Sequence, residues 1–464
     1  MAIAVENVQS DTTLDPHVDT KASSKEQPYA YYTLAVLTLA AIFNYADRQI
    51  ISILAENIRS SLHITDAQLG FLYGTAFAVF FAMVGIPMGR LADAMSRKRL
   101  MAAGMALWSV TTIFSGFAAN FAQLGAARFG VGLGEATANP CSNSMITDFF
   151  SKRRRATALS VYLAGTTVGM GGSLALGGQI LKHWGGLCGR LGACGVSNWQ
   201  AAFIIVSAPG VILAFLVAGL KDPRGAVRPA QPLLRLMFRE FSATIPPFTL
   251  LALWREAGAL GVTTNAAMAT IIAAVMMAVI HLAGDPAQWI AVGLGAYAIL
   301  SWAQIQRIRD RPLFELTLGC PTFVFSLSGM AGVAIISGTM SFWAAPHAMR
   351  DLGAPASEVG AMMGLFAVVG SLVGVIGGGV LTDRWRRHDA RAPIYVTMIC
   401  LAIQIPVGMM LYLTQDKHIF YMAYLAQMLI SQAWGGGAAA LVQELVLPRM
   451  RGAGSASFSL IIII

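Results

Sequence analysis

The sequence predicts an all-α polytopic membrane protein. Two six-helix halves flank an inserted two-helix hairpin, and the last helices are cut short. Three observations lead there. First, 56% of the 464 residues are hydrophobic and only 12% are charged, roughly half the charged share of an average soluble domain. Second, the charges collect in short clusters between apolar runs of about 20 residues, the length a helix needs to cross hydrocarbon. Third, one loop pattern occurs twice. Gly89-Arg90-Leu91-Ala92-Asp93 with Arg97-Lys98-Arg99 returns as Gly379-Val380-Leu381-Thr382-Asp383 with Arg386-Arg387. A second loop, Lys152-Arg153-Arg154-Arg155-Ala156, has its counterpart in Pro448-Arg449-Met450-Arg451-Gly452. Two matches at similar offsets indicate an internal repeat.

Residues 1–28 are polar and read as a disordered cytoplasmic tail. The first apolar run begins near residue 30 and carries Asp47 and Arg48, so it is no cleavable signal peptide. Crossings are expected at about 31–55, 66–90, 100–119, 121–148, 155–181 and 199–220, making 29–220 the N-terminal half. A linker region, 221–312, opens with Lys221, Arg224, Arg228, Arg235 and Arg239. Pro246-Pro247 and the Arg255-Glu256 pair place about 240–260 at the membrane interface. A hairpin follows at about 261–283 and 287–306, turned by Gly284-Asp285-Pro286. The C-terminal half, 313–464, holds crossings near 320–345, 357–381, 393–413 and 418–447. A further one starts near 453 and stops about half-way through, so roughly 50 residues are expected to be missing.

Orientation follows from loop charge. The basic clusters after the even crossings all fall on one side, which the positive-inside rule assigns to the cytoplasm. The N-terminus is then cytoplasmic, and the expected location is the plasma membrane, or the inner membrane of a bacterium. The net charge of +9 is a topology signal, because no basic groove with stacking aromatics accompanies it. No nucleic-acid partner, cofactor or metal is implied, and a monomer is expected. Cys141, Cys320 and Cys400 lie within or at crossings. Cys188 and Cys194 share one outer loop, where an oxidising exterior would permit a disulfide.

The chemistry concentrates in the first half. Asp47 and Arg48 are adjacent near the middle of the first crossing, where each ionisable group costs about 2.5–3.5 kcal/mol even on a lenient scale. Neighbours on a helix point about 100° apart, so each needs a partner elsewhere. The fourth crossing reads Arg128-Phe129-Gly130-Val131-Gly132-Leu133-Gly134-Glu135-Ala136. Arg128 and Glu135 are seven residues apart and share a face, about 10 Å along the axis. Asn139 and Asn143 would extend that polar stripe. The simplest arrangement is a buried cluster in which Arg48 and Arg128 compete for Asp47 and Glu135. Burial raises a carboxyl pKa and a nearby guanidinium lowers it, and a balance of the two permits titration near neutrality. A static network locking two helices is the alternative. The glycines here and in the fifth crossing (Gly165, Gly169, Gly171, Gly172, Gly177, Gly178) suit close helix packing.

At the basic loops, Asp93 and Asp383 amid Arg97, Arg99 and Arg387 could form a cytoplasmic latch that breaks as the halves rock. They could also be topology anchors, and Asp93 could cap the next turn. The second half contrasts with the first. Its opening crossing carries Phe323, Phe325, Phe342 and Trp343, with no acid or base until His347. A cavity with one charged and one apolar, aromatic wall suits a molecule with a charged head and an apolar tail.

Gly89 through Arg99 resembles the loop signature of the major facilitator superfamily, with Ser96 where glycine is usual and Ala94 where a basic residue is usual. Arg128 with Gly132 resembles the fourth-helix signature of its proton-coupled members. The fifth-crossing glycines resemble the antiporter signature only in part, since its proline is absent. Asn44-Tyr45-Ala46-Asp47-Arg48, Arg128 through Ala136, and Ser301-Trp302-Ala303-Gln304 leading to Arg311-Pro312 are similar to the spinster branch. That resemblance implies alternating access and a lysophospholipid or sphingosine-1-phosphate type of substrate. It implies proton handling by Asp47 and Glu135, with Arg48 meeting an anionic head group. Arg128, Glu135, Asn44 and Trp343 are the further expected substrate contacts. The competing expectation is a proton-coupled exporter of drugs or small organic anions. A lipid-modifying enzyme is not expected, because no nucleophile–base pair or metal-ligand set is apparent.

Overall fold

A computed structural model describes residues 27–191, 195–222, 232–245, 247–309, 311–389 and 391–435. The described chain is helical with short turns. Eight of its helices are long and apolar enough to cross a membrane. The first crossing is α1 (Gln27–Leu62). The second is interrupted: α2 (Asp66–Gly70) passes into a five-residue π segment, Phe71–Thr75, and then α3 (Ala76–Ala94). Thr65 starts it with a capping box, in which Gln68 N–H donates to Thr65 Oγ1 and Thr65 N–H donates to Gln68 Oε1, so two orphan donors are satisfied reciprocally. The third crossing is α4 (Arg97–Ser115).

The fourth crossing departs from expectation. It is two helices, α5 (Phe121–Glu135) and α6 (Ala138–Phe149), broken at Ala136-Thr137. Pro140 explains the break, since it has no N–H and its ring opposes the carbonyl four residues back. Arg128 and Glu135 therefore share a helix face, but Asn139 and Asn143 do not continue it. Both asparagines are exposed, and Asn139 Oδ1 accepts from Tyr162 O–H at 3.1 Å.

The fifth and sixth crossings are α7 (Lys152–Leu191) and α8 (Asn198–Gly219), the latter opened by a Ser197/Gln200 capping box. A short helix, α9 (Leu233–Ser242), leads to the hairpin of α10 (Thr249–Ala283) and α11 (Pro286–Arg309). Gly258 breaks α10 with φ 62° and ψ −153°, a conformation open to glycine. The break falls close to residue 260, the expected start of the hairpin. After the single-turn α12 (Arg311–Leu316) come α13 (Pro321–Arg350), α14 (Ala356–Arg386), α15 (Ala392–Leu413) and α16 (Lys417–Ala433). The two copies of the repeated loop lie at the ends of α3 and α14, the second crossing of each half. The Pro448–Gly452 loop, the crossing near 453 and the proposed break-off fall outside the described residues.

One apolar core holds the N-terminal half together, and another spans both halves, from Ile50 and Leu54 on α1 to Phe342 on α13 and Tyr424 on α16. Glycines set the contact between halves. A Cβ on Gly171 would meet the Gly364 carbonyl, and one on Gly178 would meet the Ala356 carbonyl. Toward the Arg-rich end each helix turns back to its own half. Gly165 of α7 faces Thr38 of α1, while Gly370, Gly374 and Gly378 of α14 face α16. Among the described residues the halves touch away from the Arg-rich end, and toward it these glycine contacts stay within each half. Of the fifth-crossing glycines, Gly172 has open space around it and is not a packing glycine.

Candidate functional site

Asp47 lies mid-way along α1 and is fully buried, as is Arg128 of α5, while Glu135 is 2% exposed. Three of the four residues of the expected charged cluster are thus buried, and Arg48 is partly buried. Among the described contacts no guanidinium of this cluster is hydrogen-bonded to a carboxyl oxygen. Asp47 Oδ1 accepts from Ser207 O–H of α8 at 2.7 Å. Arg128 Nη1 donates to the Asp47 backbone carbonyl at 3.4 Å. Five other side-chain atoms of the layer are buried without a protein partner: Asp47 Oδ2, Arg128 Nε and Nη2, and both carboxyl oxygens of Glu135. Asn44 Nδ2, one turn before Asp47, adds a sixth. Unpaired buried polar atoms cost about 1–3 kcal/mol each, and more when charged. So many unpaired buried polar atoms in one layer call for an explanation beyond packing.

The guanidinium groups find an aromatic platform instead. Phe77 of α3 is 1% exposed. The Arg48 Cζ stands 4.3 Å from its ring centroid and the Arg128 Cζ 5.6 Å. Phe81 stacks on Phe77 at 5.4 Å and is also within 5.6 Å of Arg48. Cation–π contact holds a guanidinium without neutralising it, which leaves the charge available to an anion. Arg48 is only partly buried, in contrast to Arg128. Sequence reasoning missed Ser207 and Phe77. A lone serine and a lone phenylalanine in apolar crossings carry no signal of their own.

The π segment feeds a second set of contacts. Tyr73 stacks on Phe342 of α13 with centroids 4.0 Å apart, and its hydroxyl donates to Gln49 Oε1 at 3.2 Å. Ser52 O–H donates to the Phe342 carbonyl at 2.7 Å. Trp343 is partly buried beside Phe342 and lies 3.7 Å from where a Cβ on Gly70 would sit. It therefore belongs to the contact between halves rather than to the charged layer. The wall contributed by the second half is not wholly apolar. Gln427 of α16 is fully buried with neither amide atom paired, and Ser371 Oγ is likewise unpaired.

Beyond Trp343, Arg350 at the end of α13 bridges the halves. It pairs with Glu56 of α1 and with Asp66 of α2, the latter at 3.0 Å. This bridge went unnoticed in the sequence because its partners lie about 290 positions away. At the Arg-rich end the proposed latch residues have other company. Arg97 pairs with Asp148 of its own half, and its N–H donates to Asp222. Arg99, Asp383 and Arg387 are exposed, and the Asp93 side chain lies outside those described. Arg90 pairs with Glu240 of α9 at 2.8 Å. Cys188 is disulfide-bonded, but Cys194 lies outside the described residues. Among the described residues no His, Cys, Asp and Glu cluster is suited to a metal.

The family model of the Major Facilitator Superfamily matches residues 37–462. An MFS-type efflux pump of Mycolicibacterium smegmatis is 23% identical over 442 residues, 95% of this chain and 83% of the pump. The human protein spinster homolog 1 is 23% identical over 381 residues, 79% of this chain but only 56% of that protein. Among solved structures, a bacterial homologue of the human lysosomal transporter Spinster, inward-facing and unoccupied, superimposes with a TM-score of 0.67. The two share 25% identity over 94% of this chain and 80% of the other.

Proposed function

The chain belongs to the Major Facilitator Superfamily, so it is a membrane-embedded, spinster-like transporter of a small molecule, and we propose that it moves an anionic amphiphile by proton-coupled alternating access. The observation that carries this reading is the buried layer of Asp47, Arg128 and Glu135 with five unpartnered side-chain atoms. A proton on either carboxyl removes one buried charge and creates a donor for its neighbour. An anionic head group would satisfy the guanidinium donors, since an arginine fork matches phosphate or carboxylate oxygens in pairs.

Arg48, partly exposed above Phe77, is the first contact for the head group, with Arg128 behind it. Asn44 offers an unpaired amide donor to the same layer. The apolar and aromatic residues of α13, Trp343 included, supply the wall for a tail. Lysophospholipids and sphingosine-1-phosphate fit this description. The Arg-rich end is assigned to the cytoplasm, so the N-terminus is cytoplasmic and the conformation opens inward. The protein acts as a monomer in a bacterial inner or other plasma membrane. Residues 29–220 and 313–464 are the two rocking halves, and 221–312 joins them.

A second reading, export of drugs or small organic anions, draws on the likeness to the mycobacterial efflux pump and on the buried amide of Gln427. One experiment separates them. Liposomes containing the protein are given labelled lysophospholipid or sphingosine-1-phosphate, with and without a pH gradient. A lipid carrier loses affinity as the tail shortens, by up to about 0.8 kcal/mol per buried methylene. Uptake that ignores the gradient refutes proton coupling. Uptake that ignores tail length favours the small-anion reading.

A further inference from the structure

The short helix α9 has two faces with different company. Leu236, Met237 and Phe241 pack on the core of the N-terminal half, and buried Glu240 is held by Arg90. The opposite face presents Arg235, Phe238 and Arg239, all exposed. Spacings of three and four put those three on one stripe. Phe238 meets Phe248 edge-on, with centroids 6.4 Å apart. From Phe248 the stripe continues along the first turns of α10 through Leu251, Trp254 and Arg255, each exposed, and ends at the Gly258 break. Among the described residues no ion pair engages Arg235, Arg239 or Arg255.

We propose that this stripe is a docking site for anionic phospholipid headgroups. Four features meet there. The stripe lies between two membrane crossings, α8 and α10, at the Arg-rich end of the bundle. Its aromatic side chains are of the kind that settle at headgroup depth. Among the described residues its three arginines have no ion-pair partner, and they complement phosphate charge. The helix is also fixed to the protein from behind, by Glu240, so the charges are presented on a rigid support. Arg90 lies near the C-terminal end of α3, the helix carrying Phe77. A headgroup on α9 therefore sits one ion pair away from the crossing that carries Phe77.

Trp254 is a built-in reporter at 60% exposure. The full-length protein is placed in nanodiscs with dibrominated phosphatidylglycerol or dibrominated phosphatidylcholine, and the quenching lost in Trp254→Phe isolates this residue. Each basic side chain near an anionic surface enriches that lipid by roughly fivefold, so the anionic lipid quenches Trp254 several-fold more strongly. The combined Arg235→Gln, Arg239→Gln and Arg255→Gln variant loses the preference, and the corresponding lysine variant keeps most of it. Soluble glycerol phosphate at millimolar concentration leaves the quenching unchanged. Equal quenching by the two lipids overturns the site, as does a preference that survives in the glutamine variant. Displacement by glycerol phosphate points to a free-anion site instead. These readouts need no transport, so they stand or fall separately from the proposed function.

Discussion

Ser207 donates to Asp47 Oδ1 at 2.7 Å and so ties the sixth crossing to the first at the centre of the bundle. Only one carboxyl oxygen is served this way, and Oδ2 has no protein partner. The proposed proton role of Asp47 can therefore be tested apart from its structural contact. In liposomes, Asp47→Asn is expected to keep the Ser207 contact and the fold but to lose the response of transport to a pH gradient. Ser207→Ala unpairs a buried acceptor, which lowers stability by about 1–3 kcal/mol and is read as a drop in Tm. A normal gradient response in Asp47→Asn assigns the residue to packing alone.

The contact of Phe77 with both Arg48 and Arg128 predicts a split between stability and binding. Phe77→Leu preserves most of the apolar volume while removing both cation–π contacts, each worth about 0.5–2 kcal/mol. Anion affinity is expected to fall with only a modest change in Tm. Phe77→Ala also opens a cavity and costs about 3–5 kcal/mol. Isothermal titration of the substrate against both variants makes the comparison. Unchanged affinity in the leucine variant removes Phe77 from the site.

The Arg350 bridge predicts a change in conformational balance. Arg350→Ala frees Glu56 and Asp66 and loosens the closed end. A single cysteine placed at Leu62 is then expected to react faster with a membrane-impermeant maleimide. Exposed ion pairs contribute about 0–1 kcal/mol apiece, so the expected shift is a few-fold and not complete opening. Arg350→Lys is expected to lie between the two.

Close approach of α7 and α14 makes glycine size decisive. Gly171→Leu and Gly360→Leu drive a side chain into a backbone carbonyl of the other half. Both are expected to abolish activity while a folded fraction still inserts. Gly172→Ala, next in sequence but in open space, is expected to transport normally. Overpacking of this kind costs about 1–3 kcal/mol and sometimes more, and fluorescence-detected gel filtration tests it.

Asp416 caps α16, accepting from the N–H groups of His418 at 2.7 Å and Ile419 at 3.2 Å. Those two bonds hold its carboxyl below the ordinary aspartate value. A depressed folded-state value means the cap is fully present above the ordinary pKa and is lost as pH falls through the lowered one. Hydrogen exchange at the first turn of α16 is expected to quicken in Asp416→Ala at neutral pH. Acid produces the same effect in the wild type. An unchanged exchange rate in the variant contradicts the capping role.

The sequence by itself determined the architecture of this protein. Apolar run length, loop charge and a repeated Gly-x-x-x-Asp loop specify crossings, halves and hairpin, because hydrocarbon thickness and helix rise leave few alternatives. It also singled out Asp47, Arg48, Arg128 and Glu135 as candidates, because ionisable groups at that depth are costly. Tertiary structure alone decided their partners. Ser207 meets Asp47 across 160 positions, and Phe77 comes within cation–π distance of two arginines of different helices. Arg350 reaches Glu56 and Asp66 only because the halves touch at one end. No local pattern encodes such contacts, since each depends on how helices distant in sequence rotate and tilt against one another. The break at Ala136-Thr137 lies between the two cases. Pro140 announced it locally, yet the interruption of the polar stripe became visible only in the packed bundle.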